Sequence, residues 1–293
     1  MERVRRKCGF LFGIEVGAAG TKGGLCLGWK PEIDITLQSY SRNHIDVIVK
    51  ENDSMVWRIT GFYGCPEERF RHTSWDLLRQ LKSDQQIPCL VAGDFNELLF
   101  SFEKQGGRLR SERNMSQFRE ALDDCELCDL GFKGTWYTWE RGRTEATNVR
   151  ERLDRAVANL RWLEIHPDFS VVHLTHFISD HCPVLINTGH SLRNPLGSNN
   201  DEFRFETNWA LEDGIEQVIS SAWESTSVDL PERLTTLGQS LSSWSKDLRR
   251  TNTAAKCQMQ DRLHELSLAD PDEAALSELI EVKLRLNMEA DKE

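Results

Sequence analysis

Val91-Ala92-Gly93-Asp94-Phe95-Asn96 decides how the rest of the chain is read. The run from Ile87 to Ala92 is short and apolar, as in a strand covered on both faces of a sheet. It stops at Gly93 and gives way to a carboxylate and an amide two positions apart. At a strand's period of two, Asp94 and Asn96 point the same way. Together they can bind a divalent metal, a phosphate oxygen or an attacking water. Gly, Asp and Asn are also turn residues, so the stretch alone is equally a plain turn.

On either side the pattern alternates between strands and helices. Gly24–Trp29, His44–Lys50 and Val56–Tyr63 read as strands rich in β-branched and aromatic residues. Glu68–Lys82 reads as a helix, with Trp75, Leu78 and Leu81 at helical spacing. A second helix follows from Met115, Phe118, Ala121, Leu122 and Cys125. Short strands are expected at Trp136–Trp139, Leu153–Val157, Ser170–Leu174 and Cys182–Ile186, and a helix at Met1–Arg6. Composition shifts near Thr188, where Gly, Ser, Asn and Pro mark a linker over 189–207. Beyond it, residues 208–293 are helical. Ile215, Val218, Ile219 and Ala222 share a face, and Leu234, Leu237, Leu241, Trp244 and Leu248 follow a heptad-like spacing. Asp270-Pro271-Asp272-Glu273 reads as a capped helix start. This apolar stripe needs a partner, either a neighbouring helix or another protein.

The net charge of −11 over 293 residues argues against a protein that coats nucleic acid by bulk charge. The charge is uneven. Residues 1–190 carry 25 basic against 27 acidic side chains, and residues 191–293 carry 11 against 20. Basic loops in the nearly neutral first part can therefore still meet phosphate. No apolar run is long enough for a membrane span, and no apolar segment follows the basic N-terminus as in a secretory signal. Nuclear or cytoplasmic placement, with the eight cysteines reduced, is the expectation. Cys125 and Cys128 form a C-x-x-C pair without a second pair, which reads as a helix end facing the core.

Four further elements carry chemistry. Ser179-Asp180-His181 precedes a strand and joins a carboxylate to an imidazole, which can bond or protonate a phosphate oxygen; a capped turn with a surface His is the plainer reading. Tyr63 ends a strand among glycines, where a phenol can donate to phosphate or simply close the core. Asp154 sits among Arg150, Arg152 and Arg155, where it can orient a histidine or belong to a surface ion-pair strand. Thr138 lies between aromatics in Thr135–Trp139. Two arginine-bearing loops, one with Lys104, Arg108, Arg110 and Arg113 and one with Arg141, Arg143, Arg150, Arg152 and Arg155 near Trp139, can bind phosphate, or can be solvated charged loops.

The ordered set Tyr63, Asp94/Asn96, Thr138, Asp154, Ser179-Asp180-His181 resembles the endonuclease/exonuclease/phosphatase superfamily. Within it, the stretches GGLCLGW (23–29), WRITGFYG (57–64), VAGDFNELL (91–99), EKQGG (103–107), FREALDDCELCDLGFKGTWYTW (118–139), RERLDRAVAN (150–159) and SDHCPVLI (179–186) are similar to the endonuclease domain of LINE-type non-LTR retrotransposons, the plant polyproteins above all. FRFETNW (203–209) and the following helices resemble the connector that leads toward a reverse transcriptase.

The resemblance implies an α+β fold, a two-layer β-sandwich flanked by helices over residues 1–188 and followed by a helical tail. It implies DNA as partner and Mg²⁺, with Mn²⁺ as alternative, as cofactor for nicking. Asp94 and Asn96 would contact the water and the scissile phosphate, Tyr63 and His181 would polarise that phosphate, and Asp154 would orient the histidine. Asp180 would hold the metal. Thr138, Ser179, Arg141, Arg143, Arg108 and Arg110 would line the DNA. The family pattern also opens with an Asn-bearing strand and a Glu-bearing strand that should precede the first helix here. Glu15 lies too late to replace that Glu. The expectation is thus a domain incomplete at its N-terminus, with the metal weakly bound or absent and activity weak or lost. A catalytically dead interaction module using the helical tail is the alternative. A phosphomonoesterase or lipid phosphodiesterase on the same fold is a third, more distant reading.

Overall fold

His44–Glu51 shows why the central sheet is buried on both sides. Ile45, Val47 and Val49 face one way and are buried, while His44 and Asp46 face the other and are buried too. The computed structural model describes residues 2–18, 24–51, 55–82, 87–189, 205, 209, 212, 214–224, 229–270 and 272–292. These form α1 (Glu2–Lys7), β1 (Phe12–Val16), β2 (Leu25–Trp29), β3 (Asp34–Ser41), β4 (His44–Glu51), β5 (Met55–Tyr63), α2 (His72–Leu81), β6 (Cys89–Asp94), β7 (Lys104–Gln105), α3 (Glu112–Asp124), β8 (Cys128–Asp129), β9 (Lys133–Gly134), β10 (Trp139–Arg141), β11 (Val149–Glu151), β12 (Asp154–Ala158), α4 (Leu160–Ile165), β13 (Ser170–His173), β14 (Val184–Asn187), α5 (Ile215–Glu224), α6 (Leu230–Leu268) and α7 (Glu273–Lys292). Two compact units result, one holding the strands with α1 to α4, the other holding α5 to α7.

In the first unit the central sheet runs in the order β3-β4-β5-β6-β12-β8. All its neighbours are antiparallel except β5 and β6. One face carries Phe62 and Val91 against Trp75 and Leu78 of α2 and Phe118, Ala121 and Leu122 of α3. Trp75 and Phe118 stack at 4.4 Å between centroids. The other face carries Ile45, Val47, Val49, Trp57, Leu90 and Ala156. Against it lie side chains of the β1-β2 pair (Ile14, Val16, Leu25, Leu27) and of the β14-β13-β9 sheet (Val171, Val184, Ile186), closed by Trp162 of α4. This is the expected α+β sandwich with flanking helices and a helical C-terminal region.

Element boundaries depart from expectation where glycine and long-range pairing intervene. The strand begins at Cys89 rather than Ile87 and does not stop at Gly93. It runs to Asp94, paired on both sides, and position 93 takes glycine at φ 144° because a Cβ there would sit 2.1 Å from the Phe62 carbonyl. Glu68–Phe70 is a 3-10 turn ahead of α2. Thr135–Thr138 is irregular, and only Trp139–Arg141 pairs as a strand. Apart from Gly189 and Phe205, the expected linker lies outside the described residues, as does Pro271.

A buried charge cluster fastens the loops to this core. Arg155, fully buried on β12, donates to both carboxylate oxygens of Glu103 (3.2 and 2.9 Å) and to Asp129 (2.8 Å). Arg152 bridges the same two acids at 2.8 Å each. Burial raises the pKa of Glu103 and of Asp129, but the arginines outweigh it and hold both below the usual carboxylate range. The sequence reading gave Arg150, Arg152 and Arg155 to phosphate. Buried contacts correct that: Arg150 is itself buried and bonded to Glu140 at 3.0 Å.

The tail packs on its own helices. Trp209, Ile215 and Leu241 form a small core with Val218, Ile219, Leu237 and Trp244. Asp229 caps α6 through the Glu232 amide, with Pro231 in the first turn. Arg262 of α6 pairs bidentately with Glu278 of α7 at 2.7 and 2.8 Å.

Removing one partner of a buried ion pair leaves the other charge uncompensated. Arg155→Met is therefore expected to lower stability by about 3–5 kcal/mol in urea unfolding. A loss under about 1 kcal/mol would show that the cluster is not what anchors these loops.

Candidate active site

Three residues from adjacent strands line up at one end of the central sheet. In the parallel β5-β6 ladder Tyr63 stands opposite Asp94, and in the antiparallel β6-β12 ladder Asp94 stands opposite Asp154. Strand pairing alone thus sets Tyr63, Asp94 and Asp154 in a row. Residues 179–181 approach this row from the other layer. Trp139 and His181 form an antiparallel bridge, the Glu140 amide donates to the Asp180 carbonyl (3.0 Å), and the Cys182 amide donates to the Thr138 carbonyl (2.8 Å). That places His181 Nδ1 2.8 Å from Asp154 Oδ2.

Asn96 is held by the residues it serves. Its amide donates to Asp94 Oδ1 (2.8 Å), and its side-chain NH₂ donates to Asp94 Oδ2 (2.8 Å) and the Gly64 carbonyl (3.0 Å). These bonds keep Asn96 at φ 56°, a left-handed conformation that Asn tolerates better than most residues. Gly64 must be glycine here, since a Cβ would lie 2.1 Å from the Phe95 carbonyl. Thr138 Oγ1 accepts from the amides of both Leu153 and Asp154 at 2.9 Å. Thr138 is 1% exposed, so it is not the surface DNA contact that the sequence implied. It props the start of β12 instead.

The electrostatics follow from two acids side by side. Burial, and then the charge of Asp154, raise the Asp94 pKa; His181 and the Asn96 hydrogen bonds oppose this, and the balance lies at about 6. Burial lowers the His181 pKa, but the Asp154 hydrogen bond and the charges of Asp154, Asp94 and Asp180 more than compensate, so it is raised above 6.5. The site therefore holds a carboxylate that takes a proton near neutrality beside an imidazole that favours its cationic form.

Ser179 and Asp180 are exposed. Ser179 Oγ accepts from the His181 amide at 3.1 Å, and Asp180 Oδ2 accepts from Trp139 Nε1 at 3.1 Å. Among the described residues no three His, Cys, Asp or Glu side chains converge into a metal-holding group. Mg²⁺ is usually held through one or two carboxylates completed by water and phosphate, and Asp180 would be such a carboxylate here. Arg108, Arg141 and Arg143 are exposed, as a DNA contact requires. Arg110 corrects its expected role. It turns inward, donates to the Asn96 carbonyl at 3.0 Å and pairs with Glu151, which also binds Lys104. Glu97, fully buried between Arg71 (2.7 Å) and Arg110 (3.5 Å), completes this support. Sequence reasoning passed over Glu97, Glu151 and Arg71, because a charged residue looks solvated until its partner, tens of positions away, is known.

The sequence profile of the Endonuclease/Exonuclease/phosphatase family matches residues 4–181. Among solved structures the chain is similar to the endonuclease domain of TRAS1, a telomere-specific non-LTR retrotransposon (14% identity, 60% of this chain and 78% of that one, TM-score 0.47). It is also similar to the human Nocturnin catalytic domain with bound sulfate (14%, 64% and 76%, 0.39) and to D. rerio TDP2 complexed with single-strand DNA product (13%, 62% and 78%, 0.38). No curated protein matches the sequence.

Asp154→Asn keeps the shape but removes the charge that raises the His181 pKa. The imidazole is expected to titrate at lower pH in this variant, read from its NMR chemical shifts. An unchanged or higher midpoint would mean that Asp154 does not govern His181.

Proposed function

Since the chain belongs to the endonuclease/exonuclease/phosphatase family, we propose that this site hydrolyses phosphodiester bonds in DNA. The carrying observation is the Asp154–His181 hydrogen bond formed beside the Asp94–Asn96 pair. Asp94, with a pKa of about 6, is mostly a carboxylate at pH 7.5 and still basic enough to take a proton from water. Each of its oxygens keeps a second lone pair beyond the bond to Asn96. The water oxygen then bonds to phosphorus, the ester P–O bond breaks, and the leaving oxygen takes a proton from solvent water and departs as the alcohol. His181, aimed by Asp154 and with its cationic form favoured by the neighbouring carboxylates, donates to a non-bridging phosphate oxygen and stabilises the charge that grows there. Tyr63 stands beside Asp94 to donate to the same phosphate. Exposed Arg108, Arg141 and Arg143 would meet the flanking phosphates. A divalent ion, Mg²⁺ or Mn²⁺, held through Asp180, would add charge stabilisation in this family.

The finer reading is an endonuclease of a LINE-type non-LTR retrotransposon that nicks target DNA. It is supported by the run of similar stretches from residue 23 to residue 186. In this reading residues 1–188 are the nuclease domain, 189–207 a linker, and 208–293 a connector toward a reverse transcriptase, with a protein partner for its helices. Among the described residues no helix is long and apolar enough to cross a membrane.

Nicking of supercoiled plasmid in Mg²⁺ buffer tests the proposal. Asp94→Ala and His181→Ala should each reduce the rate by roughly 10²–10⁴-fold, the usual worth of a positioned acid or base. Equal nicking by these variants would remove the site assignment, and DNA binding without nicking would make it a binding surface only. The rate should rise with pH through about 6 as Asp94 deprotonates. It should fall again at higher pH as His181 loses its proton at a pKa raised from its ordinary value, a limb that Asp154→Asn should move to lower pH.

A further inference from the structure

Phe100, Phe102 and Trp136 form an exposed row of aromatic rings that the phosphodiester site does not use. They are 43%, 60% and 45% exposed. Phe100 and Phe102 are nearly parallel, 10° apart with centroids at 5.2 Å, and Trp136 follows Phe102 at 6.2 Å. We propose that this row is a stacking platform for the bases of unpaired DNA lying next to the scissile phosphate. The inference rests on the hydrolytic reading above for the identity of the nucleic acid, and on its own geometry for the mode of binding.

The row is rigid from below. Trp136 packs edge-on against Phe132, which stacks on buried His173 at 4.2 Å and lies under the Arg152 guanidinium at 4.6 Å. Phe102 precedes Glu103, which Arg152 and Arg155 clamp. Exposed rings fixed in this way lose little side-chain freedom when a partner binds, and exposed apolar patches mark interaction surfaces. The chemistry selects the partner. The row is wholly aromatic, and its exposed rings offer surfaces on which any base can stack, because every base has a π-face. Cations accompany it: Arg119 lies over the Phe100 ring at 5.2 Å while paired with Glu112, and Lys133 is exposed next to Phe132. A nucleotide offers both a base for the rings and a phosphate for these cations. The row also leads into the site. Trp136 lies two residues before Thr138, whose hydroxyl holds the Asp154 amide. Such a platform would favour substrates in which the duplex is open beside the cut.

Fluorescence anisotropy with a labelled 12-nucleotide single strand and with the matching duplex, on the full chain, tests this. Phe102→Ala with Trp136→Ala is compared with Leu160→Ala, an exposed residue outside both the row and the hydrolytic site, each first shown to melt like the unsubstituted chain. Single-strand affinity should fall roughly five- to a hundredfold in the double variant, with duplex affinity unchanged and Leu160→Ala binding both as before. Equal single-strand binding by the double variant, or none by the unsubstituted chain, overturns the platform and leaves the hydrolytic site to the nicking assay. Self-association in sedimentation that the double variant abolishes would overturn it as well, assigning the row to contact between copies.

Discussion

Two carboxylates, Asp94 and Asp154, are forced side by side because their strands are hydrogen-bonded neighbours in register. Like charges so close, partly withdrawn from water, raise the free energy of the ionised pair. Everything around them answers that constraint. His181 makes a hydrogen bond to Asp154, and Asn96 supplies two donors to Asp94. Thr138 anchors the backbone from which Asp154 projects. Burial first, and then this repulsion, place the Asp94 pKa at about 6, so structural stress and chemical usefulness share an origin.

Around this centre lies a shell of opposite charges buried in the loops. Arg110 and Lys104 meet at Glu151, Arg71 and Arg110 at Glu97, and Arg152 and Arg155 at Glu103 and Asp129. Buried ion pairs contribute little net stability relative to apolar packing, yet breaking one is costly. Their geometry suits loops that must hold one conformation without a large apolar core beneath them. Here they hold the Asn96 carbonyl from one side and the base of the aromatic row from the other.

Much of the fold was legible in the residues. The apolar run ending at Asp94, the helical spacing of Trp75 and Leu78 and of Phe118, Ala121 and Leu122, and the stripe along the tail are local patterns set by backbone periodicity. Residue types at strand ends marked Tyr63, Asp94, Asn96, Asp154 and His181 as a set, and structure brings Asp94, Asn96, Asp154 and His181 together through hydrogen bonds, with Tyr63 beside Asp94. The loop arginines were not legible. Arg108 and Arg110 are two positions apart in one polar stretch; the first faces solvent and the second is turned inward onto Glu151.

The sequence by itself determined which side chains could do acid–base and phosphate chemistry, and which segments would be strands or helices, because both depend on residue type and short-range spacing. Only the tertiary structure decided which charges are spent on one another, since the partners of Arg110, Arg152 and Arg155 lie up to 52 positions away. It also decided that Thr138 is a buried prop and that three phenyl and indole rings line up in solvent. Those outcomes depend on strand register and loop closure, in which a shift of one residue would turn each side chain to the opposite face.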